Sequence, residues 1–297
     1  MIRRIMGLLT ALGAVVATLV ILPATTASAA DCAAAWNSSS VYTGGGSASY
    51  NGHNWSAKWW TQNETPGSSD VWADQGSCGS GGTDPGDPGS SVDFIVSEAQ
   101  FNQMFPGRNS FYTYSGLTAA LDAYPGFANT GSDTVKKQEA AAFLANVSHE
   151  TGGLVYVVEQ NTANYPHYCD STQPYGCPAG QAAYYGRGPI QLSWNFNYKA
   201  AGDALGIDLL GNPYLVEQDA AVAWKTGLWY WNTQNGPGTM TAHNAMVNGA
   251  GFGETIRSIN GSIECNGGNP AQVQSRIDKY QAFVSILGTT PGSNLSC

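Results

Sequence analysis

The stretch TVKKQEAAAFLANVSHETGG, residues 134–153, decides the fold of the chain because a long helical pattern in it ends abruptly at two glycines. Spacings of four and three place Phe143, Val147 and Glu150 on one predicted helix face, away from the lysines near the start. The pattern predicts a helix over 134–150 that ends in a carboxylate on a buried apolar face. Such a glutamate is a candidate general acid, and an exposed helix-end charge is the alternative.

A second carboxylate, Glu159, follows nine residues later in a predicted loop. Two carboxyl groups that flank a glycosidic bond can cleave it by acid–base chemistry. Inverting enzymes hold the two groups roughly 6.5–9.5 Å apart, and retaining enzymes hold them about 5–5.5 Å apart. The pair makes a sugar polymer a candidate substrate, and a solvated surface charge is the alternative for Glu159.

The composition fits a protein that binds a neutral ligand with stackable faces. Of the 297 residues, 11% are charged and 11% are aromatic, and the net charge is −9. The sequence has no cluster of lysine and arginine, and its charge is acidic, so we expect neither nucleic acid nor membrane as a partner. The length suits one full domain plus a small one, and we expect a monomer.

Residues 1–30 predict a secretory signal. Arg3 and Arg4 form a charged start, an apolar run covers 5–22, and small residues at 27–30 predict cleavage after one of the last two alanines. A membrane anchor is the alternative, because the apolar run is almost long enough to span a bilayer. The cleavage-type ending favours removal, so we expect a secreted, extracellular protein.

The chain predicts two domains joined by a linker. Residues 79–91 are rich in Gly, Pro and Ser and have no apolar residue to bury, which is typical of a linker. Segment 31–78 has short, turn-broken runs and predicts a small β module. Segment 92–297 predicts a mainly α domain in which long loops form a cleft. Its predicted helices are 92–104, 134–150, 213–232 and 271–287, and its longest predicted loops are 151–190 and 233–262.

Six cysteines follow the predicted signal. An even number in an exported chain predicts disulfides, and the domain boundaries favour the pairs Cys32–Cys78, Cys169–Cys177 and Cys265–Cys297. A metal site is the alternative, but the sequence has no Cys-x-x-Cys pair. A zinc-protease helix needs a second histidine where the chain has Gly153, so we interpret His149 as structural. We expect no metal and no cofactor.

Three motifs of the large segment resemble the family 19 glycoside hydrolases, the chitinases. They are SHETGG at 148–153, QLSWNFNY at 191–198 and INGSIEC at 259–265. The resemblance covers nearly all of 92–297. It implies a lysozyme-like fold and an endochitinase that cleaves β-1,4-linked N-acetylglucosamine polymers with inversion, so its partners are chitin and chitooligosaccharides.

The resemblance also implies residue roles. Glu150 is the general acid, Glu159 is the general base, and Ser193 positions the attacking water; for Ser193, a helix N-cap is the alternative. The substrate-binding candidates of this domain are Gln191, Asn197, Asn260 and Tyr168.

A further acidic residue, Glu264, is expected to pair with a cation near the cleft. Arg276 and Arg187 are the candidates, and either pair would keep the base oriented. A purely structural ion pair is the alternative.

The stretch AKWWTQNETP, residues 57–66, resembles the core of the family 5/12 carbohydrate-binding modules. Strand alternation places one of Trp59 and Trp60 in the core, unless a bend lets both form a flat face. Aromatic rings stack on sugar faces, so we expect binding to insoluble chitin, with Tyr42 extending the platform.

Two other functions compete with this interpretation. One is a lysozyme-type hydrolase of peptidoglycan, and the other is a chitin-binding protein without catalysis. The presence of both carboxylates argues against the second. An antifungal role through wall chitin is a consequence that the endochitinase hypothesis allows.

Overall fold

The computed structural model divides the chain into two compact units, Met1–Thr83 and Asp84–Cys297. The predicted signal 1–30 and the predicted linker 79–91 lie outside the described residues. The structure describes residues 32–34, 36–38, 40–50, 53–78 and 94–297.

The N-terminal unit is a small β module. A two-stranded antiparallel sheet pairs β1 with β4, and a three-stranded antiparallel sheet has the order β2-β3-β5. The strands are β1 Val41–Tyr42, β2 Ser47–Tyr50, β3 His53–Ala57, β4 Thr61–Gln62 and β5 Trp72–Ser77. Its core is small, built on Ala48, Ala57, Val71 and Trp72. A core of this size needs reinforcement, and the Cys32–Cys78 disulfide joins the two ends of the module.

The C-terminal unit is mainly helical and contains one large apolar core. Two 3₁₀ turns, Leu121–Ala123 and Thr162–Tyr168, lie between the helices. The α-helices of the described chain are α1 Glu98–Met104, α2 Tyr114–Thr118, α3 Asp133–Glu150, α4 Asn195–Leu205, α5 Leu215–Gln218, α6 Ala220–Thr233, α7 Ala242–Val247, α8 Phe252–Glu264 and α9 Pro270–Ile286.

Helix α3 is the central element of this unit and contacts α7, α8 and α9. Ser132 caps it, because the side chain accepts a hydrogen bond from the backbone N–H of Val135. Every residue from Glu139 to Ser148 is buried. The prediction of a single apolar face was therefore too narrow: a helix surrounded by others is buried on all sides, and its alanines let those neighbours approach closely.

Two predicted helices have different bounds in the structure. The helix predicted over 92–104 begins at Glu98, because Ser97 and the residue three places later form a capping box. The helix predicted over 213–232 is broken at Asp219, whose side chain accepts from a backbone N–H and starts α6. Pro213, the first residue of the predicted helix, precedes α5.

The predicted long loop 233–262 contains two helices, α7 and α8, so that prediction was wrong. Gly251 separates them with φ +98°, and a β-carbon there would lie 2.6 Å from the carbonyl oxygen of Ser293. Glycines in this segment interrupt the apolar periodicity that predicts a helix. The sequence therefore predicted a loop, although the chain is helical on both sides of Gly251.

Two disulfides belong to this unit, Cys169–Cys177 and Cys265–Cys297. With Cys32–Cys78 they form the pairing expected from the sequence. Within the described part of the chain, none of the helices has the length and apolar character needed to cross a membrane.

Candidate active site

The end of α3 places Glu150 at the edge of the helical core. The Thr151 hydroxyl donates to the carbonyl of Val147 at 2.6 Å and accepts from the N–H of Leu154 at 2.7 Å. Gly152 then turns the chain with φ +63°. These local bonds end the helix at a defined residue and leave the Glu150 side chain 20% exposed.

One buried arginine holds the Glu150 carboxyl group. Arg276 Nη2 donates to Glu150 Oε1 and, at 2.7 Å, to Glu264 Oε1. Its Nε donates to Glu264 Oε2 at 2.8 Å and its Nη1 to Asn146 Oδ1 at 3.0 Å. Burial pushes the pKa of Glu264 upward, but the hydrogen bonds and charge of Arg276 hold it below the ordinary value. The network fixes Oε1 of Glu150 in place.

A cavity of about 250 Å³ opens at Glu150. It brings together five of the predicted site residues: Glu150, Gln191, Ser193, Asn197 and Asn260. Its remaining lining was not predicted and consists of Ile190, Leu192, Tyr230 and Ile259. A larger cavity of about 380 Å³ lies beside α4 and is lined by none of the predicted site residues. We place the candidate site at the smaller cavity, because it brings Glu150 together with the side-chain amides of three predicted residues.

The motif at 191–198 presents side chains to this cavity from a strained turn. Gln191 has φ +52° and Trp194 has φ +75°, values that residues other than glycine rarely adopt. The N-cap of α4 is Trp194, without a side-chain hydrogen bond, so the alternative role of Ser193 as helix N-cap is wrong. Asn197 Nδ2 donates to the backbone carbonyl of Ser193 at 3.0 Å, and both residues line the cavity.

Glu159 lies in the loop after α3 and is not part of that cavity lining. Its Oε1 accepts from Asn164 Nδ2 at 2.7 Å and from the Tyr168 hydroxyl at 3.1 Å. Burial and the Glu159 carboxylate raise the pKa of Tyr168 to about 12. Tyr168, predicted to bind substrate, thus contacts the candidate base. Asn164 was missed, because a lone amide in a loop carries no sequence signal.

Arg276, and not Arg187, is the partner of Glu264. Arg187 is buried and its Nε donates to Glu217 Oε2 at 2.6 Å. The two cations therefore belong to separate ion pairs: of the two candidates for Glu264, Arg276 is confirmed and Arg187 is wrong.

His149 has a structural environment, with its Nδ1 3.1 Å from the hydroxyl of Ser275. Burial, followed by the positive charge of Arg276, lowers the pKa of His149 to about 4. Over the described ranges, no group of three or more His, Cys, Asp or Glu side chains is placed to hold a metal ion.

In the β module, Trp59 and Trp60 are both exposed, at 56% and 60%. Strand β3 ends at Ala57 and the chain bends, so strand alternation does not apply to the two rings. Tyr42 is half-buried, with its ring edge-on to Trp72 at a centroid distance of 5.1 Å.

The helical fold and the cavity at Glu150 suit a glycoside hydrolase, and the comparisons with known proteins show that class. Residues 95–297 match the family 19 glycoside hydrolase model, described as chitinase class I, and residues 35–73 match the model of carbohydrate-binding module family 5/12. The chain belongs to family 19 of the glycoside hydrolases.

Solved and curated relatives are chitinases of bacteria and plants. The crystal structure of chitinase C from Streptomyces griseus is 77% identical and covers 90% of this chain and 100% of that chain, with a TM-score of 0.69. A class IV chitinase from Zea mays is 43% identical and covers 70% of this chain and 100% of its own, with a TM-score of 0.61. Endochitinase A from Zea mays is 45% identical over 211 residues, which is 68% of this chain and 71% of that protein.

Proposed function

We propose that this chain is a secreted endochitinase that hydrolyses β-1,4-linked N-acetylglucosamine polymers with inversion. The observation that carries the proposal is the cavity at the end of α3, where Glu150 meets the amides and hydroxyl of the motif 191–198. A carboxyl group held on one oxygen, in a cleft lined by neutral hydrogen-bonding groups, suits a substrate that is polar and uncharged.

In the proposed reaction, Glu150 gives its proton to the glycosidic oxygen as the bond from that oxygen to the anomeric carbon breaks. Arg276 keeps Oε1 in place, so the proton comes from Oε2. Glu159 takes a proton from water, whose oxygen bonds to the anomeric carbon on the face opposite the leaving group. Solvent then reprotonates Glu150 and removes the proton from Glu159, which restores both groups.

The remaining polar groups of the cavity position water and sugar. Ser193 contributes a hydroxyl for the attacking water. Asn197 and Asn260 each use Nδ2 within the protein, on the Ser193 carbonyl and on Glu264 Oε1, which leaves Oδ1 of each to accept from substrate N–H or O–H groups. Gln191 Nε2 donates to the Gly188 carbonyl at 3.0 Å, which leaves Oε1 of Gln191 to accept from the substrate.

The domain plan and location belong to the same proposal. The signal 1–30 exports the chain, module 31–78 binds insoluble chitin through Trp59 and Trp60, and linker 79–91 connects it to the catalytic domain 92–297. The enzyme acts as a monomer, and hydrolysis of wall chitin gives it an antifungal role.

The test compares Glu150→Gln and Glu159→Gln on N-acetylglucosamine hexamer and on the same sugar carrying a highly acidic phenol as leaving group. Each variant should lose about 10²–10⁴-fold in kcat on the hexamer. Only Glu150→Gln should recover on the phenol substrate, because that leaving group departs without a proton.

Recovery by Glu159→Gln instead would reverse the two roles, and full activity of either variant on the hexamer would remove that residue from the mechanism. Bacterial cell walls, assayed beside chitin with the wild type, test the peptidoglycan alternative.

A further inference from the structure

The segment 157–168, here called the base strap, carries Glu159 and begins with backbone bonds to a neighbouring turn. The N–H of Glu159 donates to the carbonyl of Gly186 at 2.8 Å, and the N–H of Gly188 donates to the carbonyl of Val157 at 2.8 Å. These two bonds join the start of the base strap to the turn at 186–188.

Tyr165 attaches the far part of the base strap. Its hydroxyl donates to the carbonyl oxygen of Glu159 at 2.9 Å. Its ring stacks on Tyr185, with 3.6 Å between the centroids and 11° between the planes. A parallel stack this close covers one face of each ring, so Tyr165 joins the backbone of the proposed base to Tyr185.

A buried cation supports Tyr185. The Cζ atom of Arg187 lies 3.5 Å from the ring centroid of Tyr185, and the Arg187 side chain is 0% exposed. Arg187 Nε and the Tyr185 hydroxyl both donate to Glu217 Oε2, at 2.6 Å and 3.1 Å. A planar guanidinium can stack flat on a ring while its N–H groups donate to a carboxylate in the guanidinium plane.

Further hydrogen bonds attach Arg187 to the protein core. Arg187 Nη1 donates to the carbonyl of Ala183 at 2.7 Å and to the Tyr198 hydroxyl at 2.8 Å. Tyr198 is fully buried in the core, and its hydroxyl donates to the carbonyl of Tyr185 at 2.8 Å. Tyr165, Tyr185, Arg187 and Glu217 thus form one continuous assembly, here called the Tyr–Arg column.

We infer that the Tyr–Arg column is a positioning device for the general base, in which Tyr165 determines where Glu159 stands relative to the attacking water. The inference rests on the proposed role of Glu159. The lining of the cavity at Glu150 includes neither Tyr165, Tyr185 nor Arg187. The column therefore acts through the base strap, and these residues are positioning residues without a catalytic step of their own.

This arrangement predicts a separation of kcat from KM. Displacing a reacting group by about 1 Å lowers the rate about 100-fold, whereas substrate affinity depends on contacts that the column does not make. Tyr165→Leu keeps an apolar side chain but removes the parallel stack and the hydroxyl. Tyr165→Phe keeps the stack and removes only the hydrogen bond to Glu159.

The experiment measures kcat and KM on N-acetylglucosamine hexamer for both Tyr165 variants, with Tyr175→Leu as the matched control. Tyr175 is a half-buried tyrosine of the same loop region whose hydroxyl bonds to Gln173, outside the base strap. Tyr165→Leu should lose about 10- to 100-fold in kcat with KM within about twofold of the wild type. Tyr165→Phe should stay within about fivefold, and Tyr175→Leu within about twofold.

Hydrogen exchange of the Glu159 amide gives a second readout that needs no turnover. It should be faster in Tyr165→Leu than in the wild type and unchanged in Tyr175→Leu, because only the first substitution releases the strap.

The inference is overturned if Tyr165→Leu keeps its kcat, or if KM rises while kcat stays constant, since that would make Tyr165 a substrate contact. Glu159→Gln in the same assay separates the two proposals. If Glu159→Gln is inactive and Tyr165→Leu is fully active, the positioning role of the Tyr–Arg column is refuted and the role of Glu159 stands. If Glu159→Gln is active, the role of Glu159 itself is refuted.

Discussion

Replacing Arg276 with methionine tests the network that holds Glu150. The side chain of Arg276 is 1% exposed and that of Glu264 is 3% exposed. Methionine is similar in length to arginine but carries no charge. The substitution therefore leaves the Glu264 carboxylate buried without its cation. Breaking a buried ion pair from one side costs about 3–5 kcal/mol in the free energy of unfolding. We expect a loss in that range at neutral pH, together with loss of activity.

Urea unfolding with a double-mutant cycle measures this effect. The second variant is Glu264→Leu, and the third carries both substitutions. Because an apolar pair of similar volume avoids the desolvation of two charges, the double variant should be about 2 kcal/mol more stable than Arg276→Met alone.

Arg257→Met is the matched control. Its pair with Glu254 has side chains that are 25% and 27% exposed, so the same substitution should cost at most about 1 kcal/mol. Equal losses for Arg257→Met and Arg276→Met, or a double variant whose loss equals the sum of the two single losses, would refute the reasoning, because neither result is compatible with a buried charge left unpaired.

Four further substitutions test other parts of the structure. Trp59→Ala and Trp60→Ala should each weaken binding to insoluble chitin about tenfold in a sedimentation assay, because each removes an exposed stacking ring, and leave the rate on soluble hexamer unchanged. His149→Asn should flatten the pH dependence of stability: the folded-state pKa of about 4 lies below the ordinary value of 6.5, so the folded state binds fewer protons. The wild type should therefore lose about 1–2 kcal/mol more than the variant, after allowance for solvent screening, as the pH falls from 6.5 to 4. Gly188→Ala should cost about 1–3 kcal/mol in urea unfolding, because the glycine has φ +71° and a β-carbon would lie 3.1 Å from Val216 Cγ1; an unchanged midpoint would contradict this.

Local signals in the sequence predicted the framework of the site. The end of α3 followed from paired glycines, because a helix end of this kind depends on backbone groups within a few residues. The motifs at 191–198 and 259–265 predicted four side chains that the structure places on one cavity with Glu150: Gln191, Ser193, Asn197 and Asn260.

Long-range partners could not be predicted in the same way. The sequence offered Arg187 and Arg276 for Glu264, and only the packing of α8 against α9 decides between them. The contact from Tyr165 to Tyr185 joins two irregular loops. Sequence periodicity predicts helices and strands, but it cannot predict a contact between loops. The tryptophans at 59–60 show a related limit, because strand alternation fails where the chain bends.

Proton NMR of the first products from N-acetylglucosamine hexamer tests the central claim most directly, with wild type and Glu150→Gln measured side by side. The account predicts that the new reducing ends first appear as the α-anomer with wild type, and that Glu150→Gln forms almost no product in the same time. First appearance of the β-anomer would show retention and contradict the role of Glu159 as a base acting on water.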